Sequence, residues 1–89
     1  MQSYSPEYSN EALATFLKLS KRSALKLHSL CGRLAEQPHR QAEYIGHDEA
    51  GRPLSLAVID GVGIYYWVDD AVCSVIIVKL QLPRRRQSF

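Results

Sequence analysis

The chain has 89 residues, 46% of them hydrophobic, which is enough to bury the core of one small domain and excludes a disordered protein. Its net charge of +2 does not by itself indicate a nucleic-acid partner. No apolar run approaches the ~18 residues of a membrane span, and no leader-like segment opens the chain, so we expect a cytoplasmic globular protein without a membrane partner.

Charge is distributed unevenly along the chain. Residues 1–40 carry six basic and three acidic side chains, whereas residues 41–82 carry two basic and six acidic ones, a net charge of −4. Arg84, Arg85 and Arg86 follow as a basic segment. Because residues 41–82 also hold most of the β-type patterns, the sequence predicts an acidic sheet that would repel RNA. We expect one domain over residues 1–83 and a basic tail over residues 84–89.

The first part of the chain predicts a short strand followed by a helix. Residues 4–8 are aromatic but interrupted by Pro6, which is compatible with an edge strand only. Ser9 or Asn10 can cap the helix that follows, because both side chains accept hydrogen bonds from free backbone N–H groups. The helical spacing of its apolar residues predicts a stripe toward the core, formed by Leu13, Phe16 and Leu17.

A second helix is predicted directly after the first. It begins near Ser20 or Ser23 and ends before Pro38, because the residue that precedes a proline is disfavoured in the helical region. Its predicted core stripe consists of Leu27, Leu30, Cys31 and Leu34. Two helices with almost no linker predict a helical hairpin.

After Pro38 the apolar period changes from helical to alternating. Residues 43–47 are compatible with one strand, and three further strands are predicted within residues 54–82. Asp60-Gly61 separates the first two of these three, and it is a strong signal for a tight hairpin, because both turn residues must tolerate positive φ. Asp69-Asp70 predicts a second two-residue hairpin, which makes the three strands an antiparallel meander.

The faces of these strands follow from the alternation. Ile64, Tyr66 and Val68 are predicted on one face, with Tyr65 and Trp67 on the other. In the last strand, one face is expected to carry Val72, Ile76, Val78, Leu80 and Leu82. That strand also has Val75 and Ile77 on its other face, so it is predicted to be internal to the sheet. The order β-α-α-β-β-β-β therefore predicts an α+β fold with a helical hairpin packed on an antiparallel sheet of four to five strands.

This order and several local strings resemble the RelE/ParE superfamily, the toxins of bacterial type II toxin–antitoxin modules. The strings are YSPEYSNEALATFLKL near the start, Leu-Ala-x-x-Pro at residues 34–38, and IYYWVDDAVCSVIIV at residues 64–78. The resemblance implies a growth-inhibiting toxin that is silenced by a cognate antitoxin, which we also expect from the exposed sheet edges of such folds. RelE-like members cleave mRNA on the ribosome, and translation inhibition by this activity is the function we expect first. ParE-like members act on DNA gyrase, so a non-enzymatic gyrase inhibitor is the alternative, followed by an inactive binding module; a homodimer is also open.

The resemblance also directs attention to individual residues. RNA cleavage by a neighbouring 2′-hydroxyl needs a base, an acid and a cation at the phosphate. Glu43 lies where some relatives carry a general base, and His47 is a candidate for proton transfer. Lys79 and Arg84 are candidate cations. An arginine is common in relatives three positions before the tyrosine, where this chain has Gly63, so its enzymatic activity is uncertain.

A second group of residues is expected to bind RNA or a partner protein. Tyr65, Tyr66 and Trp67 would stack on bases if they are exposed, and the alternative is that they pack in the core on one side of the sheet. Arg85 and Arg86 are the further cations of this group, unless they belong to a tail outside the fold. Cys31 and Cys73 are expected to be small buried side chains, and the histidines and acids lack the spacing of metal ligands, so we expect neither a metal nor another cofactor.

Overall fold

A computed structural model describes residues 3–39, 43–47 and 49–83. The described residues form seven elements in the predicted order. These are β1 (Ser5–Tyr8), α1 (Asn10–Leu17), α2 (Lys21–Glu36), β2 (Glu43–His47), β3 (Pro53–Ile59), β4 (Val62–Asp69) and β5 (Ser74–Gln81). They build an α+β fold in which two helices pack on a sheet with the strand order β1-β5-β4-β3-β2. The predicted basic tail, residues 84–89, lies outside the described residues.

The sheet is mixed, whereas the sequence predicted an antiparallel one. Strands β2 to β5 pair antiparallel in consecutive order, which confirms the predicted meander over residues 54–82. The edge strand β1 pairs parallel to β5, with Ser5 opposite Ser74 and Tyr8 opposite Ile77. β5 is thus internal, as its two apolar faces predicted.

The two hairpin turns of the meander differ in length. Asp60 and Gly61 form the predicted two-residue turn, with φ angles of 52° and 81° that match the positive values of a type I′ turn. The second turn has four residues rather than two, because Asp69 pairs with Ser74. Cys73, at φ 54°, therefore lies in this turn and not within the strand that the sequence predicted.

A bulge in β5 changes the face on which its side chains lie. Tyr65 pairs with Lys79 and Tyr66 with Ile77, so Val78 is skipped in the pairing with β4. Both Ile77 and Leu80 consequently face the helices, and the predicted grouping of Ile76, Val78 and Leu80 on one face is wrong. An interrupted alternation of this kind leaves no mark on the apolar pattern.

Ser9 fastens the start of α1 to this bulge. Its backbone N–H donates to the carbonyl of Ile77 (2.9 Å), and its hydroxyl donates to the carbonyl of Val78 (2.7 Å). The same hydroxyl oxygen accepts from the N–H of Ala12, which confirms the predicted cap. The strand irregularity thereby becomes the attachment point of the first helix.

The core lies between the helices and one face of the sheet. The predicted stripe of α2 is confirmed, since Leu27, Leu30, Cys31 and Leu34 are all buried. The predicted stripe of α1 is wrong in part: Ala12 is buried, whereas Leu13 is 45% and Leu17 86% exposed. The attachment at Ser9 turns the small side chain of Ala12 toward β5 and the two leucines outward.

Candidate nucleic-acid interface on the open sheet face

The face of the sheet opposite the helices, here called the open face, is the candidate interface. It carries positions of β3, β4 and β5 that alternate with the buried ones, among them Leu56, Val58, Gly63, Tyr65, Trp67, Ile76, Lys79 and Gln81. A shallow groove of about 200 Å³ crosses it, and its walls include Val58, Tyr65 and Gln81. No described helix covers this face, so these side chains are accessible to a ligand.

Two aromatic rings on the open face are each covered by a cation. The guanidinium of Arg52 lies 4.4 Å from the centroid of the Trp67 ring, and the ammonium of Lys79 lies 5.5 Å from that of Tyr65. Both distances are within the range of cation–π attraction. The Tyr65 hydroxyl also donates to Oε1 of Gln81 at 3.3 Å. Tyr65 and Trp67 are two of the predicted binding residues, whereas the sequence interpretation missed Arg52.

Two of the candidate catalytic residues lie in one row across the sheet. In the strand register Glu43 is opposite Leu56, Leu56 is opposite Tyr65, and Tyr65 is opposite Lys79. Adjacent strands are about 4.8 Å apart, so the backbones of Glu43 and Lys79 are separated by about 14 Å. Leu56 and Tyr65 lie between these two residues in the row.

His47 lies at the end of β2 and is exposed. It is opposite Pro53, the residue that follows Arg52, so it belongs to the same end of the sheet as the Arg52–Trp67 pair. It does not belong to the row of Glu43 and Lys79, because it is four residues further along β2 than Glu43. The structure thus separates the candidate catalytic residues into two places.

Tyr66 faces the core and not the open face. Its side chain is 0% exposed, and its hydroxyl donates to the carbonyl of Pro38 at 2.8 Å. Burial raises the pKa of this hydroxyl to about 12. Tyr66 consequently links β4 to the end of α2. Of the three aromatic residues predicted to bind, Tyr65 and Trp67 are the two whose rings lie on the open face. Arg84, Arg85 and Arg86 lie outside the described residues.

The described acids of residues 41–82 lie in turns, in a loop or at the ends of strands, and not at the centre of the open face. Asp60 lies in a turn and is 3.7 Å from Arg33 of α2. Asp70 lies in the other turn and accepts hydrogen bonds from Tyr4 (2.5 Å) and His39 (3.1 Å), which lower the pKa of its carboxyl group. Within β3, β4 and β5 the one acid is Asp69, at the end of its strand.

At the edge formed by β1, Glu7 accepts a hydrogen bond from the hydroxyl of Ser74 at 2.7 Å. Glu7 is opposite Ile76 and Ile76 is opposite Trp67, so Glu7 lies at the margin of the open face. Lys79, opposite Tyr65, is the charged residue at the described centre of the face, which is otherwise aromatic and apolar. RNA is therefore not excluded from it by charge.

The described residues contain no cluster of three or more histidine, cysteine or acidic side chains that would hold a metal ion. Cys31 and Cys73 are free thiols; Cys31 is buried, which raises its pKa to about 11, whereas Cys73 is partly exposed. In the part of the chain that the structure covers, no helix has the length and apolarity to cross a membrane.

The fold is shared with RelE toxins. A chain of the toxin–antitoxin complex RelBE2 from Mycobacterium tuberculosis superposes with a TM-score of 0.72 at 20% identity, over 90% of this chain and 98% of that one. A chain of the archaeal RelE–RelB complex from Pyrococcus horikoshii OT3 gives 0.66 at 18% identity, over 96% and 99% of the two chains. The isolated E. coli RelE toxin gives 0.66 at 17% identity, over 96% and 89%.

No protein-family model and no curated protein matches the sequence. The structural similarity establishes the fold class that the resemblance to RelE/ParE toxins implied: the chain has the RelE fold, with two helices on a five-stranded mixed sheet. At 17–20% sequence identity, the similarity to these structures shows the fold and not the activity.

Proposed function

We propose that this protein is the toxin of a type II toxin–antitoxin module and that it inhibits translation by cleaving mRNA on the ribosome. The observation that carries the proposal is the pair of cation-covered rings on the open face, Arg52 on Trp67 and Lys79 on Tyr65. Solved structures with the same fold include an isolated RelE toxin and chains of RelE–RelB complexes, which supports the toxin role.

The open face has the two groups that a single-stranded RNA needs. Aromatic rings stack on bases regardless of sequence, and each such contact contributes roughly 1–3 kcal/mol. Arginine and lysine beside the rings neutralise the phosphates that connect the stacked bases, and the planar donors of arginine match two phosphate oxygens. Trp67 and Tyr65 are two positions apart on β4, so they offer neighbouring platforms on the same face.

For the cleavage step we propose catalytic roles for Glu43 and Lys79, which lie at the two ends of one row across the sheet. Glu43 removes the proton of the 2′-hydroxyl, and Lys79 stabilises the charge that develops on the phosphate as the 2′-oxygen attacks it. Arg84 acts as a second cation at the phosphate. The leaving 5′-oxygen takes its proton from water, because His47 lies four residues along β2 from Glu43 and is not in this row. The products are a 2′,3′-cyclic phosphate and a free 5′-hydroxyl.

We further propose that a cognate antitoxin binds the protein. Each end of the described sheet is a strand with one unpaired edge, β1 on one side and β2 on the other. Unpaired edges accept an additional strand from a partner chain. Co-expression with the product of the adjacent open reading frame tests this step, and failure of the two proteins to co-purify would count against the toxin assignment.

Induced expression in bacteria tests the activity. We expect growth arrest, together with new mRNA ends within translated codons that primer extension detects. Lys79→Ala and Glu43→Gln should remove these ends, whereas Val72→Ser, an exposed change in the β4–β5 turn, should keep them. Growth arrest without new mRNA ends would reject the ribonuclease.

The second candidate is a non-enzymatic inhibitor of DNA gyrase or an inactive binding module, and Gly63 is the observation that favours it. This position lies on the open face beside Tyr65, and it carries no cation where RNA-cleaving relatives commonly have one. A supercoiling assay with purified gyrase separates the two activities. Inhibition of supercoiling by an equimolar amount of protein would favour the gyrase inhibitor, and unimpaired supercoiling together with intact mRNA would leave the binding module.

A further inference from the structure

The groove on the open face exists because β4 has no side chain at Gly63. In the strand register, Gly63 lies between Val58 of β3 and Gln81 of β5. Its φ angle is not in the left-handed region, and the nearest backbone atom of another strand would be 3.9 Å from a Cβ placed there. Neither the backbone conformation nor a close backbone approach therefore requires glycine. A glycine inside a strand weakens the strand, and it often marks a place where a ligand comes close.

The size and lining of this space, here called the Gly63 groove, fit a planar ring. Its volume is about 200 Å³, and its lining is mixed. Leu56 and Val58 contribute apolar side chains, whereas Tyr65 and Gln81 contribute a hydroxyl and an amide. Val58 and Gln81 belong to the two strands beside β4, so their backbones are about 10 Å apart. A heterocyclic base, which is apolar on its faces and polar at its edge, matches this lining.

The amide of Gln81 is held by one hydrogen bond and has further groups to offer. Its Oε1 accepts from the hydroxyl of Tyr65 at 3.3 Å. An amide oxygen has two lone pairs, and an amide nitrogen has two N–H donors. The Nε2 group has no hydrogen-bond partner among the residues that the structure describes. Gln81 thus offers both a donor and an acceptor at the groove.

We propose that the Gly63 groove binds one base of the RNA and that Gln81 makes adenine the preferred base. The inference rests on the proposed function and adds a base preference to it. Nε2 of Gln81 donates to N7 of adenine, and Oε1 accepts from the 6-amino group, which is the bidentate pairing that glutamine makes with this base. Guanine has acceptors at both O6 and N7, so Oε1 would face an acceptor. Pyrimidines offer a smaller ring to Tyr65.

The Gly63 groove continues the line of aromatic rings on β4. Gly63, Tyr65 and Trp67 are successive positions of the open face, about 7 Å apart along the strand. Stacking on the two rings tolerates any base, and the phosphate contacts of Arg52 and Lys79 are independent of sequence. Neither kind of contact selects a base, whereas the amide beside the groove reads a base edge. Affinity and base preference are thus assigned to different residues.

The test uses the full chain and four labelled eight-nucleotide RNAs. Three of them carry one adenosine, guanosine or cytidine in the middle of a uridine sequence, and the fourth is uridine throughout. Fluorescence anisotropy should show that the adenosine RNA binds roughly fivefold tighter than each of the others, or more. This ratio should be the same at 50 and 300 mM salt, because all four RNAs carry the same phosphates. Purine ribonucleoside in place of adenosine lacks the 6-amino group and should lose the preference.

Two variants locate the preference. Gln81→Met keeps the length of the side chain but has no amide, and Gly63→Val fills the groove with a residue that suits a strand. For each variant, the affinity for the adenosine RNA should come within twofold of that for the uridine RNA. The affinity for the uridine RNA itself should stay within twofold of the unmodified chain, which also shows that the variant is folded. Val72→Ser changes an exposed residue outside the groove and should keep the preference.

The outcomes separate this inference from the proposed function. Equal binding of the four RNAs, preference for another base, or an adenosine preference that both variants retain would overturn the adenine site. Each of these results would leave RNA binding by the open face intact. Binding of none of the four RNAs would overturn RNA recognition by this face, and the adenine site with it.

Discussion

The guanidinium carbon of Arg52 lies 4.4 Å from the centroid of the Trp67 ring, although the two residues belong to different strands. Arg52 directly precedes β3, and Trp67 lies near the end of β4. The contact places a planar cation against an aromatic ring on the face opposite the two described helices. Together with Lys79 and Tyr65, it makes this face a candidate for binding single-stranded RNA.

Replacement of Trp67 tests the stacking contribution. Trp67→Ala removes one aromatic platform, so the affinity for a labelled eight-nucleotide RNA should fall roughly 5- to 150-fold, corresponding to the ~1–3 kcal/mol of one base contact. Trp67→Phe keeps a ring and should restore most of the affinity. Fluorescence anisotropy measures both variants, and unchanged affinity of the alanine variant would remove Trp67 from the interface.

Arg52 and Trp67 should contribute different terms to RNA binding. Arg52→Ala removes a phosphate contact, so the plot of log affinity against log salt concentration should become shallower by about 0.7. Trp67→Ala should leave this slope unchanged, since stacking releases no counterions. The two slopes, measured between 50 and 300 mM salt, distinguish a phosphate contact from a purely structural role of Arg52.

Gly63 offers a gain-of-function test of the same face. A Cβ atom at this position would be 3.5 Å from Cβ of Gln81 and 3.6 Å from Cδ1 of Leu56, which are ordinary contact distances, and the backbone does not require glycine. Gly63→Arg therefore fits the sheet and adds a cation beside Tyr65. One additional phosphate contact of about 1 kcal/mol should raise RNA affinity roughly fivefold at low salt.

The matched control is Gly63→Gln, which adds a long side chain without the charge. The glutamine variant should bind RNA within about twofold of the unmodified chain, and the salt dependence should steepen only for arginine. If Gly63→Arg and Gly63→Gln weaken RNA binding equally, RNA does not bind in the groove beside Tyr65.

Much of the fold could be predicted because local signals determine it. Asp60-Gly61 specifies its turn through positive φ, the α2 stripe follows helical spacing, and the two apolar faces of β5 indicate an internal strand. The face assignment in β5 failed at Val78, because a bulge depends on how the strand pairs and not on its composition. The predicted core-facing stripe of α1 was wrong in part for a related reason, because Ser9 at the start of this helix is hydrogen-bonded to that bulge.

The candidate site could be predicted only in part. Tyr65 and Trp67 follow from strict alternation along one strand, and the same alternation assigns Tyr66 to the core. Arg52 could not be paired with Trp67, because its position depends on the register of β3 and on the length of the preceding loop. The net charge overstates the acidity of the centre of the open face, because Asp60 and Asp70 occupy turns, where they pair with Arg33 and His39.

Asp70 should stabilise the fold in a pH-dependent manner. The hydrogen bond from Tyr4, and then that from His39, lower the carboxyl pKa below its usual value of 3.8. The folded state therefore binds protons less readily than the unfolded chain, and stability should be full above about pH 4 and decline as the pH falls through the lowered pKa. Asp70→Asn should be less stable than the unmodified chain at pH 6, and the difference should shrink toward pH 2.

Urea unfolding at pH 6, 4 and 2 measures this difference. Tyr4→Phe is the matched variant, because it removes the hydrogen bond that lowers the pKa most. It should reduce the pH dependence without abolishing it, since His39 remains 3.1 Å from the carboxylate. If the difference in unfolding free energy between Asp70→Asn and the unmodified chain stays constant from pH 6 to pH 2, the Asp70 carboxylate does not stabilise the fold in this pH-dependent manner.

Tyr66 should stabilise the fold through its buried hydroxyl. Tyr66→Phe leaves the carbonyl of Pro38 without its donor, so the free energy of unfolding should fall by about 1–3 kcal/mol. Burial raises the hydroxyl pKa to about 12, whereas tyrosine in the unfolded chain titrates near 10. The contribution should thus be complete below pH 10 and disappear as the pH rises from 10 to 12, where the unfolded state has already released the proton. Urea unfolding should show that the difference in unfolding free energy between the unmodified chain and Tyr66→Phe decreases from pH 10 to pH 12. A difference that is unchanged at pH 12 would mean that the substitution does not act through this hydrogen bond.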